Sequence, residues 1–282
     1  MTLIDKDRMT TMEKKQIAIA FGSDLHLRGS SAERRRKALN FPKEADVIVL
    51  AGDIAEGMQA PLVALELADA YPCAHVVWIA GNHENYYANI DQQIERFRQF
   101  CDGHERMHFL ENDCVEIFGI KFIGCTLWSD FSILGEPESS MALASQRIND
   151  FVCIESAGGF TFTPKDCAAR FLESFTFLDE ELAISDPRKT VVVSHFPPGL
   201  ETRNPNFEVD GLTAYFQANV GLLLDLYQPT LWIYGHNHYS QEQKIGNTRV
   251  VSHQLGYQAE DGRIPAYEPS KLVFVETEDD GI

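Results

Sequence analysis

Short apolar runs alternate with longer amphipathic segments through the first hundred residues of the chain. The apolar runs lie at residues 17–21, 47–50 and 75–80, and runs of the same kind return at 190–193 and 231–234. They are rich in β-branched residues and lack polar alternation, which is typical of strands that are buried on both faces. We therefore expect them to form the centre of an α/β fold.

The amphipathic segments between these runs predict helices. A Ser at position 31 suits the N-cap of a helix over 31–39, and Pro61 suits the first turn of a helix over 61–70. Further helices are expected at residues 89–100, 166–182 and 212–226. The basic stretch within 31–39 fits either a solvated helix face or a phosphate-binding patch.

Shorter strands with turn residues between them begin near residue 107. Strands are expected at 107–110, 114–118 and 121–124, as a meander of hairpins, and at 241–245, 248–252 and 271–275. Strand–helix alternation followed by hairpins predicts mixed sheets.

The stretch 128–164 has no clear period, and so long a stretch is more often a lid or binding loop than a plain connection. We expect one domain over residues 16–276, with 128–164 as a lid-like insertion. Residues 1–15 are expected to be an N-terminal tail, and residues 277–282 an acidic C-terminal tail.

The charge balance limits the class of partner. The chain of 282 residues has 42 acidic and 24 basic residues and a formal net charge of −18. This balance argues against long nucleic acid and anionic membranes, because binding to phosphate groups in them depends on Lys and Arg. It leaves room for a small phosphorylated substrate held by bound cations.

The cysteines indicate a reducing compartment. The six cysteines are scattered and include no C-x-x-C pair. The sequence shows no secretory signal and no apolar run of the roughly 18–20 residues that a membrane span needs. We expect reduced thiols in a cytoplasmic protein. The sequence does not indicate an oligomeric state.

Each of the continuous apolar runs is followed by Asp, Asn or His. Open α/β sheets place ligands just beyond the carboxyl ends of their strands. The candidate metal ligands are Asp24, His26, Asp53, Asn82, His195, His236 and His238. Oxygen and nitrogen ligands without thiolates suit Mn, Fe or Zn. The set is too large for one tetrahedral ion and fits two ions that share a bridging carboxylate.

Each short motif is weak by itself, but the ordered set is specific. The blocks Ser-Asp-Leu-His, Gly-Asp, Gly-Asn-His-Glu, Ser-His-Phe-Pro-Pro and Gly-His-Asn-His resemble those of the calcineurin-like metallophosphoesterase superfamily, and the fourth resembles its bacterial phosphodiesterase-like members most closely. The resemblance implies an α/β fold, a four-layer α/β/β/α sandwich. In it, two mixed β-sheets are flanked by helices, with a dimetal site at one rim.

The resemblance also implies roles for the site residues. Asp24, His26 and His238 would bind the first metal, Asn82, His195 and His236 the second, and Asp53 would bridge them. His83 matches the family's non-ligand histidine, which assists the leaving group or stabilises the phosphoryl oxygens. The implied cofactors are two divalent or transition-metal ions, with Mn expected and Fe, Zn or Ni as alternatives.

The expected function is metal-dependent phosphoester hydrolysis. Two cations roughly 3.5–4 Å apart lower the pKa of a bridging water, so that a metal-bridging hydroxide can attack the phosphorus in line. His83 would donate a proton or a hydrogen bond to the departing oxygen. We expect a small phosphodiester or a nucleotide as substrate. A phosphomonoesterase, a phosphoprotein phosphatase, a nuclease and a non-catalytic scaffold of the same fold are the alternatives.

The stretch after Asp53 departs from one branch of the family. Ser/Thr phosphatases carry Gly-Asp-x-x-Asp-Arg-Gly there, whereas residues 52–57 include no arginine. The missing phosphate-clamping arginine argues against a phosphoprotein phosphatase. Glu56 takes the place of the second Asp and could act in catalysis by orienting His83, or it could be an exposed loop residue.

Further residues could shape the substrate pocket or could equally be core or loop residues: Trp128, Phe131, Asn149, Asp150, Phe151, His253 and Tyr257.

Overall fold

The computed structural model of the protein describes residues 16–260 and 266–277. The strands are β1 (Gln16–Gly22), β2 (Val47–Ala51), β3 (His75–Ile79), β4 (Met107–Phe109), β5 (Asp113–Ile117), β6 (Ile120–Cys125), β7 (Thr190–Ser194), β8 (Leu231–Tyr234), β9 (Gln241–Ile245), β10 (Thr248–Ser252) and β11 (Leu272–Glu276). The α-helices are α1 (Ala32–Ala38), α2 (Gln59–Ala70), α3 (Ile90–Cys101), α4 (Pro137–Arg147), α5 (Asp150–Cys153), α6 (Pro164–Ala183) and α7 (Gly221–Tyr227). The predicted tails, apart from Thr277, lie outside the described residues.

The strands form two mixed sheets, flanked by helices. The first sheet has the order β11-β1-β2-β3-β4, and the second has the order β5-β6-β7-β8-β10-β9. Neighbours are parallel except at three edges, where β11, β5 and β9 pair antiparallel to β1, β6 and β10. The predicted fold class is confirmed.

Alternate side chains of the central strands enter different cores, because successive side chains of a strand point to opposite faces. In β2, Val47, Val49 and Ala51 pack between the two sheets. Ile48 and Leu50 pack in the outer cluster, to which α2 and α3 also contribute. Burial on both faces explains why the strand sequences are apolar throughout.

Helix α1 begins where the sequence predicts. The Ser31 side chain accepts a hydrogen bond from the Arg34 backbone N–H at 3.2 Å. The Arg34 guanidinium donates to the Gly256 carbonyl, and Arg35 pairs with Glu66. Two of the basic side chains therefore bind protein groups, and both interpretations of this stretch stay predictions.

The predicted meander of hairpins is wrong at its first strand. β4 lies in the first sheet and runs parallel to β3, with Met107 opposite Val76. Helix α3 connects these two strands, and a strand–helix–strand crossover produces parallel neighbours in one sheet. Of these three strands, β5 and β6 form a hairpin.

The predicted helix over 212–226 is wrong in its first half, since α7 begins at Gly221. The Asp210 carboxylate accepts hydrogen bonds from the backbone N–H groups of Leu212 and Thr213, at 2.9 and 3.2 Å. These bonds hold the chain in turns, and Tyr215 lies within this irregular stretch.

The stretch 128–164 contains two helices that its pattern did not reveal. In α4, the buried residues are Ser140 and Ala144, so the inward face lacks the large apolar side chains that produce a periodic signal. The lid role of this stretch and the single-domain organisation stay predictions.

The core between the sheets should dominate stability. We expect Ile233→Ala, in β8 with 1% exposure, to lower the free energy of unfolding by about 2–5 kcal/mol, because it leaves a cavity between the sheets. The matched change Ile184→Ala, at a side chain that is 78% exposed, should change it by less than about 0.5 kcal/mol. Urea unfolding of both variants measures the difference, and equal effects would contradict this account of the core.

Candidate active site

The predicted metal ligands meet at one rim, where strands of both sheets end. They lie in the connections after β1, β2, β3, β7 and β8: Asp24, His26, Asp53, Asn82, His195, His236 and His238. Asp24, Asp53, Asn82 and His195 are buried. The structure therefore brings the whole predicted set together, while the role of each residue as a ligand stays a prediction.

Sharp backbone turns aim these side chains into the site. Positive φ angles are found at Asp24 (53°), His26 (44°), Asp53 (53°), His236 (76°) and His238 (51°). Side chains other than Gly rarely adopt this left-handed region, and each such residue costs about 1–3 kcal/mol. Packing in the surrounding sheets offsets that cost and holds the site in one arrangement.

Glycine is required where two of the turns approach each other. A Cβ atom on Gly81 would contact Asp53 Oδ1 and lie 2.7 Å from His195 Cε1. A Cβ atom on Gly235 would lie 2.7 Å from Asp24 Oδ2. The glycines that precede these ligands therefore make room for the ligands of neighbouring strands.

Asp24, His26 and His238 form one group of candidate ligands. The Nε2 atoms of His26 and His238 lie 3.0 Å apart, and His238 Nε2 lies 3.4 Å from Asp24 Oδ1. The ligand atoms of all three lie within 4.8 Å of one another, which is close enough to share an ion.

A second group surrounds His195. Its Nε2 lies 3.1 Å from Asn82 Oδ1, and its ring centroid lies 5.0 Å from that of His236. The Nε2 atom of His236 is buried and has no hydrogen-bond partner. A buried nitrogen without a partner is costly unless another group, such as a metal ion, uses its lone pair.

Asp53 lies between the two groups. Its Oδ2 is 3.8 Å from His26 Nε2, and its Oδ1 is 3.5 Å from His195 Nε2. One carboxylate oxygen thus faces each group. This is the arrangement that a bridging ligand needs.

Hydrogen bonds orient two histidine rings so that their Nε2 atoms point into the site. His195 Nδ1 lies 2.9 Å from the Ala51 carbonyl oxygen, and His238 Nδ1 lies 2.6 Å from Glu260 Oε2. Since the carbonyl and the carboxylate can only accept, each Nδ1 is the donor, and each Nε2 is the ring nitrogen that faces the site.

The electrostatics of the site also fit cations. Burial lowers the pKa values of His26, His195 and His236, so these rings are neutral and can act as ligands at pH 7. Burial also lowers the pKa of His238, but hydrogen bonds to Asp24 and Glu260 outweigh it and raise the value to about 9, so this ring would have to release a proton when it binds a metal ion. Burial and then the nearby Glu84 carboxylate raise the pKa of Asp53. A cation beside Asp53 would favour its ionised form.

Glu84 has a structural role that the sequence left unassigned. It is fully buried, and its carboxylate accepts hydrogen bonds from the backbone N–H groups of Asp53 (3.0 Å), Ile54 (2.6 Å) and Gly81 (2.7 Å). These donors belong to the turns after β2 and β3. Glu84 therefore fixes Asp53 relative to the turn that carries Asn82.

His83 lies beside the Asp53 carboxylate, with its Nε2 3.8 Å from Asp53 Oδ2. The same nitrogen lies 3.0 Å from the Tyr257 hydroxyl. Burial lowers the pKa of His83 to about 4, so its ring is neutral at pH 7. Glu56 forms an ion pair with Arg28. Its role in orienting His83 stays a prediction that these contacts do not support.

The other predicted pocket residues divide into two sets. Asn149, Asp150 and Tyr257 line a cavity beside the ligands. Trp128, Phe131 and Phe151 are buried in an aromatic cluster, and His253 stacks on Tyr267.

The cavity has a volume of about 510 Å³ and is lined by Asp53, Asn82, His83, His236 and His238. Apolar side chains, among them Ile148 and Phe216, form part of its wall. Arg147 and Arg203 also line it. The cavity can therefore surround an organic group while two cationic side chains face the same space.

Two further observations concern the helices and the cysteines. Within residues 16–260 and 266–277, no helix has the length and apolar character of a membrane span. The six cysteines are free in the structure, and their redox state in the cell stays a prediction.

Comparison with known proteins assigns the family. The family model for calcineurin-like phosphoesterases matches residues 17–240. The chain therefore belongs to the calcineurin-like phosphoesterase family, whose members are hydrolases acting on phosphoester bonds. The predicted family is confirmed.

The individual proteins that resemble this chain have low sequence identity to it. An uncharacterized protein of Acanthamoeba polyphaga mimivirus is 25% identical, with 88% of this chain and 94% of that protein covered. The crystal structure of the phosphopantetheinyl hydrolase PptH from Mycobacterium tuberculosis is 20% identical, with a TM-score of 0.72 and coverage of 95% of this chain and 99% of that chain. The structural similarity to this hydrolase supports the fold of the chain.

Glu84 should be essential to the geometry of the site. We expect Glu84→Gln to lower the free energy of unfolding by about 2 kcal/mol or more, because the introduced NH₂ group would face buried backbone donors. The change Glu105→Gln at an exposed position is the matched control and should have little effect. Urea unfolding provides the comparison, and equal stability of the two variants would exclude this role for Glu84.

Proposed function

We propose that the protein hydrolyses a small phosphodiester with the help of two divalent metal ions, with Mn²⁺ as the first choice. The observation that carries the proposal is the position of Asp53, which directs one oxygen toward each of two groups of candidate ligands. Asp24, His26 and His238 would hold one ion, and Asn82, His195 and His236 the other, with Asp53 between them.

The bound ions would supply Lewis-acid stabilisation of the phosphoryl oxygens and a nucleophilic water at neutral pH. The chain contributes ordered ligand positions, since hydrogen bonds hold the backbone of Asp53 and the imidazoles of His195 and His238. Asp24 and Asp53 are the anionic members of the ligand set. Two divalent ions would therefore carry more positive charge than their ligands carry negative charge, and this excess would attract phosphate into an acidic protein.

His83 would act on the leaving group. Its ring is neutral at pH 7, so it can donate an N–H hydrogen bond to the departing oxygen or to a phosphoryl oxygen. Tyr257, whose hydroxyl lies 3.0 Å from His83 Nε2, is placed to orient it. Glu56 remains a candidate for that orientation, and unchanged turnover in Glu56→Gln would remove it.

The cavity supports a diester with an organic group of moderate size. Its volume of about 510 Å³ accommodates a substituent on the phosphate, and its apolar wall and two arginines suit one with apolar and anionic parts. A nucleotide fits this description. The name of the phosphopantetheinyl hydrolase from Mycobacterium tuberculosis adds a phosphopantetheinyl group to the candidates.

Metal dependence tests the reaction class. We expect chelator-treated protein to lose hydrolysis of bis(4-nitrophenyl) phosphate and Mn²⁺ to restore it. Asp53→Asn should lower kcat/KM about 100-fold or more, since it removes several kcal/mol of stabilisation through the bridging charge. The exposed Asp69→Asn is the matched control. Unimpaired turnover by metal-free protein, or by Asp53→Asn, would contradict the proposal.

The ester preference tests the substrate class. We expect a higher kcat/KM for bis(4-nitrophenyl) phosphate than for 4-nitrophenyl phosphate, because the cavity can hold the second organic group of a diester. Steady-state assays with both esters at one Mn²⁺ concentration measure the ratio. A strong preference for the mono-ester would show a phosphomonoesterase instead.

A further inference from the structure

Asp150 is a buried acid that lies next to the ligand set but outside it. It is the first residue of α5, within the predicted lid, and its exposure is 1%. Its Oδ1 accepts hydrogen bonds from Asn82 Nδ2 at 2.9 Å and from the Tyr86 hydroxyl at 2.8 Å. Its Oδ2 accepts a hydrogen bond from the Tyr215 hydroxyl.

The first of these bonds determines which way the Asn82 amide points. An ionised carboxylate can only accept, so it takes the NH₂ end of the amide. The other end, Oδ1, then faces His195, with 3.1 Å to its Nε2. Hard metal ions bind an amide through its oxygen. Asp150 therefore turns the ligand atom of Asn82 toward the candidate metal position.

The second bond connects Asp150 to His83. The Tyr86 ring stacks on the His83 ring, with 4.2 Å between centroids and 27° between planes. The Asp150 carboxylate fixes the hydroxyl end of Tyr86 and so limits the positions of the stacked rings. One carboxylate thus supports two adjacent residues of the site, Asn82 and His83.

Backbone pairing holds Asp150 in place. The Tyr87 N–H donates to the Cys153 carbonyl at 2.7 Å, and the Ile90 N–H donates to the Glu155 carbonyl at 2.9 Å. The Glu155 N–H donates in return to the Ala88 carbonyl at 3.0 Å. These bonds join the chain around α5 to the chain that follows His83, so the two stretches form one rigid wall.

We infer that Asp150 is a positioning residue that orients Asn82 for metal binding and holds Tyr86 against His83. The inference rests on the proposed two-metal function. It assigns to the predicted lid a contribution to metal affinity, in addition to any contribution to the shape of the pocket. The effect passes through Asn82 and Tyr86, because Asp150 itself faces their donor groups.

Metal binding by the whole chain tests the inference without an activity assay. Chelator-treated wild type and Asp150→Ala are titrated with Mn²⁺ alone, and bound Mn²⁺ is measured by calorimetry and elemental analysis. We expect the wild type to bind two ions. In Asp150→Ala, the ion beside Asn82 should bind about 10–100-fold more weakly than in the wild type. The affinity for the other ion should stay within about threefold of the wild-type value.

Two variants separate positioning from folding. Asp150→Asn keeps the size of the side chain and an acceptor for Asn82, so it should recover part of the lost affinity. Asp46→Asn alters another buried acid, at the opposite end of β2, where its carboxylate accepts from the Ala18 N–H at 3.0 Å. It should leave the binding of both ions unchanged, even if it lowers the melting temperature.

The outcomes are distinct. Two ions bound with wild-type affinities by Asp150→Ala or, if that variant does not fold, by Asp150→Asn would overturn the positioning role. It would also be overturned if Asp46→Asn weakened one ion to the same extent. Fewer than two ions on the wild type itself would instead contradict the proposed two-metal function, and the inference with it.

The link to His83 has its own test. Tyr86→Phe keeps the ring stacked on His83 but loses the bond to Asp150. We expect kcat to fall more for a phosphodiester with a poor leaving group, such as phenol, than for one with 4-nitrophenol, while Mn²⁺ binding changes by less than about threefold. Equal kcat losses for the two substrates, or no loss, would overturn this part of the inference.

Discussion

Many buried carboxylate and imidazole groups lie close together around Asp53, at the rim where the two sheets meet, and the rest of the site depends on how they are satisfied. Desolvating such groups is unfavourable unless each has a partner. Hydrogen bonds satisfy their outward atoms, as Ala51 does for His195 and Glu260 does for His238. The inward atoms converge on two positions that have the chemistry of cation sites. The fold thus provides a candidate site whose buried groups a bound cation would stabilise.

The same constraint accounts for the unusual backbone of the rim. Ligands from separate strands can converge only if the chain turns sharply at each strand end, which places Asp24 and Asp53 at φ of 53°. Glu84 compensates part of this strain, since it binds backbone donors of two turns at once. Asp150 likewise accepts hydrogen bonds from two side chains at once, those of Asn82 and Tyr86. Stability and geometry of the site therefore depend on the same few buried acids.

The sequence predicted what depends on local pattern. The central strands and the clustering of the candidate ligands were accessible, because apolar runs followed by Asp, Asn or His are visible in a single stretch of sequence. Contacts across the fold were not. The link between Glu84 and the turn after β2 joins residues 30 positions apart, and Asp150 lies 68 positions from Asn82. The placement of β4, and the turns that replace the first half of the helix expected at 212–226, likewise depend on tertiary contacts that override local pattern.

The central claim is that Asp53 bridges two metal ions. Anomalous diffraction from crystals grown with Mn²⁺, recorded near the Mn absorption edge, tests it most directly. We expect two peaks roughly 3.5–4 Å apart. Both peaks should lie within coordination distance of the Asp53 carboxylate, either at its two different oxygens or at one oxygen that both ions share. Asn82 Oδ1 should lie beside the peak nearer His195. A single peak, or two peaks of which one does not contact Asp53, would contradict the account.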